Sequence, residues 1–217
     1  MNFPNESKEY RAARDKLLAA EIELRKQVET VAAQRRKLPA GGEVPEDYVF
    51  EGEKGPVRLS QLFENGNTLV AYSFMYGPKM QKACPMCTSM LDGLDGNAQH
   101  IAQRTNLVVV AKSPLPRILE HARGRGWSNL KLLSSEKNKY NRDYHGETAD
   151  GAQMPMLNVF RKDKTIRHFY GTELLYAKEE PGQNARHVDA IWPLWNLIDF
   201  TPEGRGTDWY PKLAYGA

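Results

Sequence analysis

Cysteine is scarce in this chain, with only Cys84 and Cys87 among 217 residues. One pair cannot build the disulfide framework of a small secreted scaffold, and a chain of this length buries a core without staples. Long apolar runs are also missing. None approaches the roughly 18 residues that a membrane-spanning helix needs, so no membrane partner is expected. The opening residues, MNFPNESKEYRAARDK, lack the basic start and apolar core of a secretory signal, which predicts a cytoplasmic protein. In that reducing setting a close cysteine pair suits catalysis or metal binding better than a permanent cross-link. Charge of one sign is lacking too, since 30 Lys and Arg stand against 27 Asp and Glu. The nearest thing to a basic run, Arg35-Arg36-Lys37, reads as a helix end, where cations suit the negative dipole terminus. No nucleic-acid partner is expected. Internal repeats and low-complexity tracts are absent.

Glycine and proline are missing from Ser7 to Leu38, where strong helix formers dominate, and this predicts one helix of about nine turns. Tyr10, Leu17, Leu24, Val31 and Leu38 recur every seven residues. Their companions Ala13, Ala20, Gln27 and Gln34 are too small or polar for a firm coiled-coil seam. Two arrangements remain open, a helix laid on its own body or an arm exchanged between the subunits of a homodimer. PAGGE, residues 39–43, ends the helix. The expected organisation is therefore an N-terminal helical arm over 1–40 and one domain with a C-terminal tail over 41–217.

Beyond the linker, strands and helices alternate. DYVFEGEKGPVRLSQLF reads as two short strands around a turn. NTLVAYSFMY, residues 67–76, is β-branched and aromatic without a charge, as a strand buried on both faces should be. A helix is expected from Cys84 to about Arg104, with Gly93 and Gly96 weakening its middle. NLVVVAK gives a second buried strand, and PLPRILEHARGRG a helix with Pro near its start and Gly past its end. PMLNVFRKDKTIRHFY, residues 155–170, predicts two strands joined at Lys162 to Lys164. RHVDAIWPLWNLIDF predicts a closing helix that Pro193 kinks or divides. The pattern is that of an α/β sandwich with a central mixed sheet flanked by helices.

The cysteines follow a buried central strand and open a helix. Unsatisfied N–H groups at a helix start stabilise a thiolate, lowering its pKa from about 8.5 toward the 3.5–7.5 range. Cys84 is thus the expected nucleophile. Cys87, about one turn further on, is the expected resolving thiol, and Pro85 sacrifices no hydrogen bond in the first turn. Together they would form a redox-active disulfide. Met154-Pro155, at the start of a late strand, stands where thioredoxin-like folds carry a cis-proline facing the disulfide. These two residues are the expected substrate-binding site.

Several blocks, RRKLP, DYVFEGEKGPVRLSQLF, VAYSFMYG, VVVAKSPLPRILEHARGRGW, LLSSEKNKYNRDY and LIDFTPEGRG, carry a resemblance over nearly the whole length. The chain resembles a bacterial family of thioredoxin-like dithiol–disulfide oxidoreductases designated domain of unknown function 899. The resemblance implies a thioredoxin-like fold and a thiol or disulfide substrate, protein or small molecule. Departures from ordinary thioredoxins and peroxiredoxins are clear. Cys84-Pro85-Met86-Cys87 differs from the thioredoxin dipeptide, no Trp precedes Cys84, and LVAYSFMY offers no buried carboxylate for Cys87. The peroxiredoxin spacing of Pro, Thr and Cys is unmet, because no Thr lies between Pro78 and Cys84.

Other constellations are weaker. Zinc wants four ligands where the pair supplies two, so a metal site would need His100 and His145 to converge on it. His121, His168 and His187 are scattered and read as packing or surface residues. GRGRG and EGRG match no phosphate loop, and no cofactor is expected. Trp192 and Trp195 read as core, whereas Trp127 could edge a pocket. The leading expectation is a dithiol–disulfide oxidoreductase. Its alternatives are a non-catalytic module binding a small ligand or peptide, and a metal-site protein.

Overall fold

The computed structural model describes residues 1–182, 184 and 186–215. The chain divides into two compact units, Met1–Pro39 and Ala40–Ala217. The first contains helix α1, Lys8–Arg36. Ser7 caps it, its hydroxyl accepting the Tyr10 N–H at 3.1 Å, and Arg35 and Arg36 occupy its last turn. None of its residues is buried. Ala, Leu, Glu, Lys and Arg hold this helix through propensity and capping.

In the second unit, β1 (Val49–Gly52) and β2 (Gly55–Arg58) form an antiparallel hairpin. There follow β3 (Thr68–Phe74), α2 (Pro85–Ala102), β4 (Asn106–Ala111), α3 (Leu115–Arg125) and β5 (Leu132–Ser134). The last three strands are parallel, as their helical crossovers require. A short α4 (Tyr140–Asp143) leads to β6 (Met156–Lys162) and β7 (Ile166–Gly171), and α5 (Pro193–Ile198) comes last. β6 is antiparallel to both β3 and β7. The sheet order is β2-β1-β5-β4-β3-β6-β7. This mixed sheet between helices, with the cysteine pair directly after a central strand, is thioredoxin-like, as the resemblance implied.

Both faces of the sheet are covered, so successive residues of the central strands enter different cores. Tyr72, Phe74, Val109 and Ala111 pack with Met90 and Leu91 of α2, Ile118 of α3 and Trp195 of α5. Leu69, Ala71, Val108 and Val110 pack with Phe50, Leu133, Tyr140 and Phe160 on the other side. Each buried Val, Leu, Ile, Phe or Met among them contributes about 1.5–3 kcal/mol by leaving water.

The structure departs from the sequence expectations at several points. α2 runs unbroken through Gly93 and Gly96. A Cβ on Gly93 would lie 3.2 Å from Pro193 Cγ, so glycine there lets α5 approach. Of the two arrangements expected at Pro193 the structure has the division and not the kink, with a 3₁₀ turn, Asp189–Ile191, before it and α5 starting at Pro193. β5 and α4 were not anticipated, being only 3 and 4 residues long. The Met154–Pro155 bond, expected to be cis, is trans, since no cis peptide bond occurs among the described residues. The trans form is the intrinsically favoured one by about 0.5–1 kcal/mol. Here the Met154 N–H is already bonded to Gly146 O at 3.0 Å and Met156 pairs opposite Ser73, so the chain enters β6 extended.

Candidate active site

β3 delivers the chain to the carboxyl edge of the sheet, and a nine-residue loop, 75–83, turns it into α2. Cys84 is the N-cap of that helix, in extended conformation, with Pro85 at the first helical position. Its N–H donates back to Met75 O at 3.1 Å, and its carbonyl accepts the Thr88 N–H at 3.0 Å and the Thr88 hydroxyl at 2.9 Å. The sulfur takes the place that Ser or Asp fills in other caps, accepting the Cys87 N–H at 3.5 Å. Cys84 is half-buried and Cys87 is buried, and both are thiols.

The two groups are driven apart electrostatically. A hydrogen bond from the Cys87 thiol lowers the Cys84 pKa to about 6, with burial opposing and the N–H groups of Cys87 and Met86 assisting. The same hydrogen bond, followed by burial and by the Cys84 charge, pushes Cys87 well above its ordinary value. Near neutral pH the pair therefore holds one proton, on Cys87.

The sequence offers no buried carboxylate for Cys87, and β3 indeed supplies none; it supplies a phenol instead. Tyr72, 1 % exposed, donates its hydroxyl to Cys87 Sγ at 3.3 Å. Burial and then the Cys87 charge raise the phenol far above 10, so it is a donor and not a base. Donation to sulfur favours the Cys87 thiolate, partly offsetting its other surroundings. The available signal was a Tyr in a strand buried on both faces, whose hydroxyl had to find a partner.

Arg117 of α3 was missed altogether. Its guanidinium reaches Pro78 O and Gln81 O, each at 3.3 Å, as well as the Met80 carbonyl, and lies 4.5 Å from the Tyr76 ring centroid. Among the described residues no carboxylate pairs with it; its charge is used to gather the carbonyls of the loop before Cys84. Gly77 in this loop meets Gln153, whose Cγ would lie 2.8 Å from a Cβ there. Extending the Ser73–Met156 register by two positions brings Met154 level with Met75, the residue that receives the Cys84 N–H. Met154 and Pro155 are thus half-buried at the same edge of the sheet as Cys84.

The histidines pack as expected and Trp192 and Trp195 are core, whereas Trp127 departs from expectation. His121 contacts Thr88 Oγ1 through Nε2 at 3.1 Å. Because that hydroxyl already donates to Cys84 O, His121 must carry its proton on Nε2 and donate. Burial, then Arg125, lowers its pKa, so it packs as a neutral ring beside Phe74, Tyr76 and Trp127. Trp127 is buried core with its N–H on Asp92 Oδ1 at 2.8 Å, and does not edge a pocket. His100 is exposed on the last turn of α2 and His145 follows α4; neither joins the cysteines, and no cluster of three metal-ligating groups occurs among the described residues. His168 bonds Asn158 Oδ1 at 2.8 Å. Among the described residues no helix is long and apolar enough to cross a membrane.

A family model described as "Bacterial protein of unknown function (DUF899)" matches residues 1–215. No curated protein matches the chain. Solved structures similar to it include a reduced 2-Cys peroxiredoxin from Plasmodium vivax, 17% identical over 74% of this chain and 96% of that one, TM-score 0.46. An exposed lipoprotein thioredoxin from Streptococcus pneumoniae is 15% identical over 69% of this chain and 99% of that one, TM-score 0.42. A structure described as the thiol:disulfide interchange protein DsbE from Chlorobium tepidum is 18% identical over 62% and 85%, TM-score 0.40.

Proposed function

The chain belongs to the DUF899 family, and from its own site we propose that it is a dithiol–disulfide oxidoreductase with Cys84 as attacking and Cys87 as resolving thiol. The observation that carries this is the placement of the pair, one sulfur half-buried at the helix N-cap with the Cys87 N–H on it and the other buried one turn into the helix, which favours thiolate on the first and thiol on the second. A nucleophile needs the first condition, and a resolving group that must wait its turn needs the second.

In the reducing direction the Cys84 thiolate attacks one sulfur of a substrate disulfide. A Cys84–substrate disulfide forms and the other substrate sulfur leaves as a thiolate. Cys87 then gives up its proton to that leaving thiolate or to solvent and attacks Cys84 Sγ, with Tyr72 donating to the sulfur as its charge develops. The second substrate thiolate leaves and the Cys84–Cys87 disulfide remains. Two electrons have passed to the substrate, and an external thiol or dithiol must return them. Met154 and Pro155 would border the approach to Cys84, without the cis bond first expected there.

The test is thiol alkylation of reduced and oxidised protein followed by mass spectrometry, with a redox titration. Faster labelling of Cys84 and a titratable Cys84–Cys87 disulfide are expected. Equal or inverted labelling rates would remove the two roles, and a pair that never oxidises would leave a non-catalytic binding module.

A further inference from the structure

Past β7 the chain forms little regular structure up to Tyr210, yet it is anchored on α2. Trp192 Nε1 donates to Ser89 Oγ at 3.4 Å, one turn after the cysteine pair's Met86, and Pro193 rests over Gly93. Between this segment and the start of α2 lies a cavity of about 500 Å³. That volume is in the small-molecule range of roughly 300–1,000 Å³. Met86, the residue between Pro85 and Cys87, lines it, with Trp192, Trp195, Trp209, Tyr210 and His187. Three of the four tryptophans of the chain are in this wall.

The rings are set edge to face. Trp195 meets Trp209 at 5.8 Å and 84°, and Tyr210 at 6.5 Å and 87°. The nearby charges are spent on one another. Arg186 lies 3.2 Å from Asp189 and 2.9 Å from Asp199, and Arg205 joins both carboxylates while standing 5.5 Å from the Trp195 ring centroid. Glu179 is the charged lining residue left outside this network among the described ones, and it is exposed. His187 Nε2 is buried and has no hydrogen-bond partner among the described residues. An adjoining cavity of about 560 Å³, beyond Arg186 and Arg205, has no aromatic wall and does not touch α2.

We propose that this cavity is a substrate pocket for the dithiol and takes a small uncharged disulfide bearing an aromatic group. The ring would lie among the tryptophans, with a polar atom on His187 Nε2 and its disulfide emerging beside Met86 at the start of α2. Aromatic walls select a ring. A cancelled charge network with one exposed carboxylate gives an anionic ligand nothing to pair with. The inference rests on the dithiol reading for its chemistry but not for its binding step.

The two can be separated. In the full chain carrying Cys84→Ser and Cys87→Ser, calorimetric titration with 4,4′-dithiodipyridine, a neutral aromatic disulfide, should show saturable one-site binding. Trp209→Ala added to it should weaken binding about tenfold, the loss expected for one aromatic wall. Trp209 is 50% exposed, so this change spares the core. His187→Ala should weaken binding as well, and dianionic 5,5′-dithiobis(2-nitrobenzoate) should bind less tightly than the neutral probe. Absent binding, indifference to Trp209→Ala, or preference for the dianion would overturn the pocket. If Cys84 of the wild-type protein exchanges with the neutral probe at a rate untouched by Trp209→Ala, the pocket fails and the dithiol reading stands. If the serine variant binds while wild-type thiols never exchange, the pocket stands and the dithiol reading fails.

Discussion

Cys84 and Cys87 are three residues apart, on one helical turn, yet they occupy opposite surroundings. The first faces outward at the N-cap, with N–H groups directed at its sulfur. The second is 4% exposed among the apolar side chains that α2 turns toward the sheet, with the Tyr72 phenol, the Met75 backbone and its partner sulfur as polar neighbours. The contrast shows how little distance a protein needs to give two identical groups different chemistry. A helix start supplies fixed partial positive charge to its cap and almost none one turn inward, while burial grows over the same step.

Removing one thiol at a time should break the comparison most completely. Cys84→Ser should abolish disulfide exchange, whereas Cys87→Ser should retain the first attack and accumulate a mixed disulfide on Cys84, visible as an adduct mass. Adducts on both variants alike would mean that the two positions are interchangeable.

Arg117→Met should act next most strongly by freeing the loop before Cys84. Losing hydrogen bonds from a charged donor to the Pro78, Met80 and Gln81 carbonyls should cost about 1.5–3 kcal/mol of stability in denaturant unfolding. The Cys84 thiolate midpoint, followed by ultraviolet absorbance, should also rise from about 6. Loss of stability with an unmoved midpoint would make Arg117 structural only.

Acidity provides a graded test. Cys84 alkylation should climb about tenfold from pH 5 to pH 8 and level off above its pKa of about 6. Stability of the reduced protein should follow. Between about 6 and 9 the unfolded chain keeps a proton on Cys84 that the folded chain has released, so stability rises with pH across that window. Above it Cys87 reverses the sign, because only the unfolded chain releases that proton and stability falls. A stability curve flat from pH 6 to 9 in the reduced form would contradict the divided ionisation.

Tyr72→Phe should be the mildest change. It removes one hydrogen bond to Cys87 worth about 0.5–1.5 kcal/mol, which corresponds to a two- to tenfold slowing of the resolving step. Rapid-mixing kinetics should show the first attack unchanged. Slowing of the first attack instead would mean that the phenol serves Cys84.

Where local pattern dominates, the sequence was readable. The charge-free run of β3 and the Pro85 that follows Cys84 located the central strand and the helix start, and Ser7 with the basic residues near Arg36 bounded α1 closely. Short elements were lost because β5 and α4, at 3 and 4 residues, each cover less than two periods of pattern, too few to show a repeat. Gly93 was misleading for another reason. Its helix cost is local and visible, whereas the Pro193 contact that requires it lies 100 residues away.

The sequence by itself determined that two thiols would stand at a helix start after a buried strand, because side-chain period, proline geometry and capping act over a few residues. Only the tertiary structure decided their surroundings. Tyr72 reaches Cys87 from the strand below, Arg117 reaches the preceding loop from α3, and the segment around Trp195 closes over Met86 from the far end of the chain. It also decided that Met154–Pro155 is trans, since the Gly146 carbonyl and the Ser73 register, both set by the sheet, fix the chain on either side of that bond. Such contacts are chosen by packing among elements distant in sequence, and no local pattern records them.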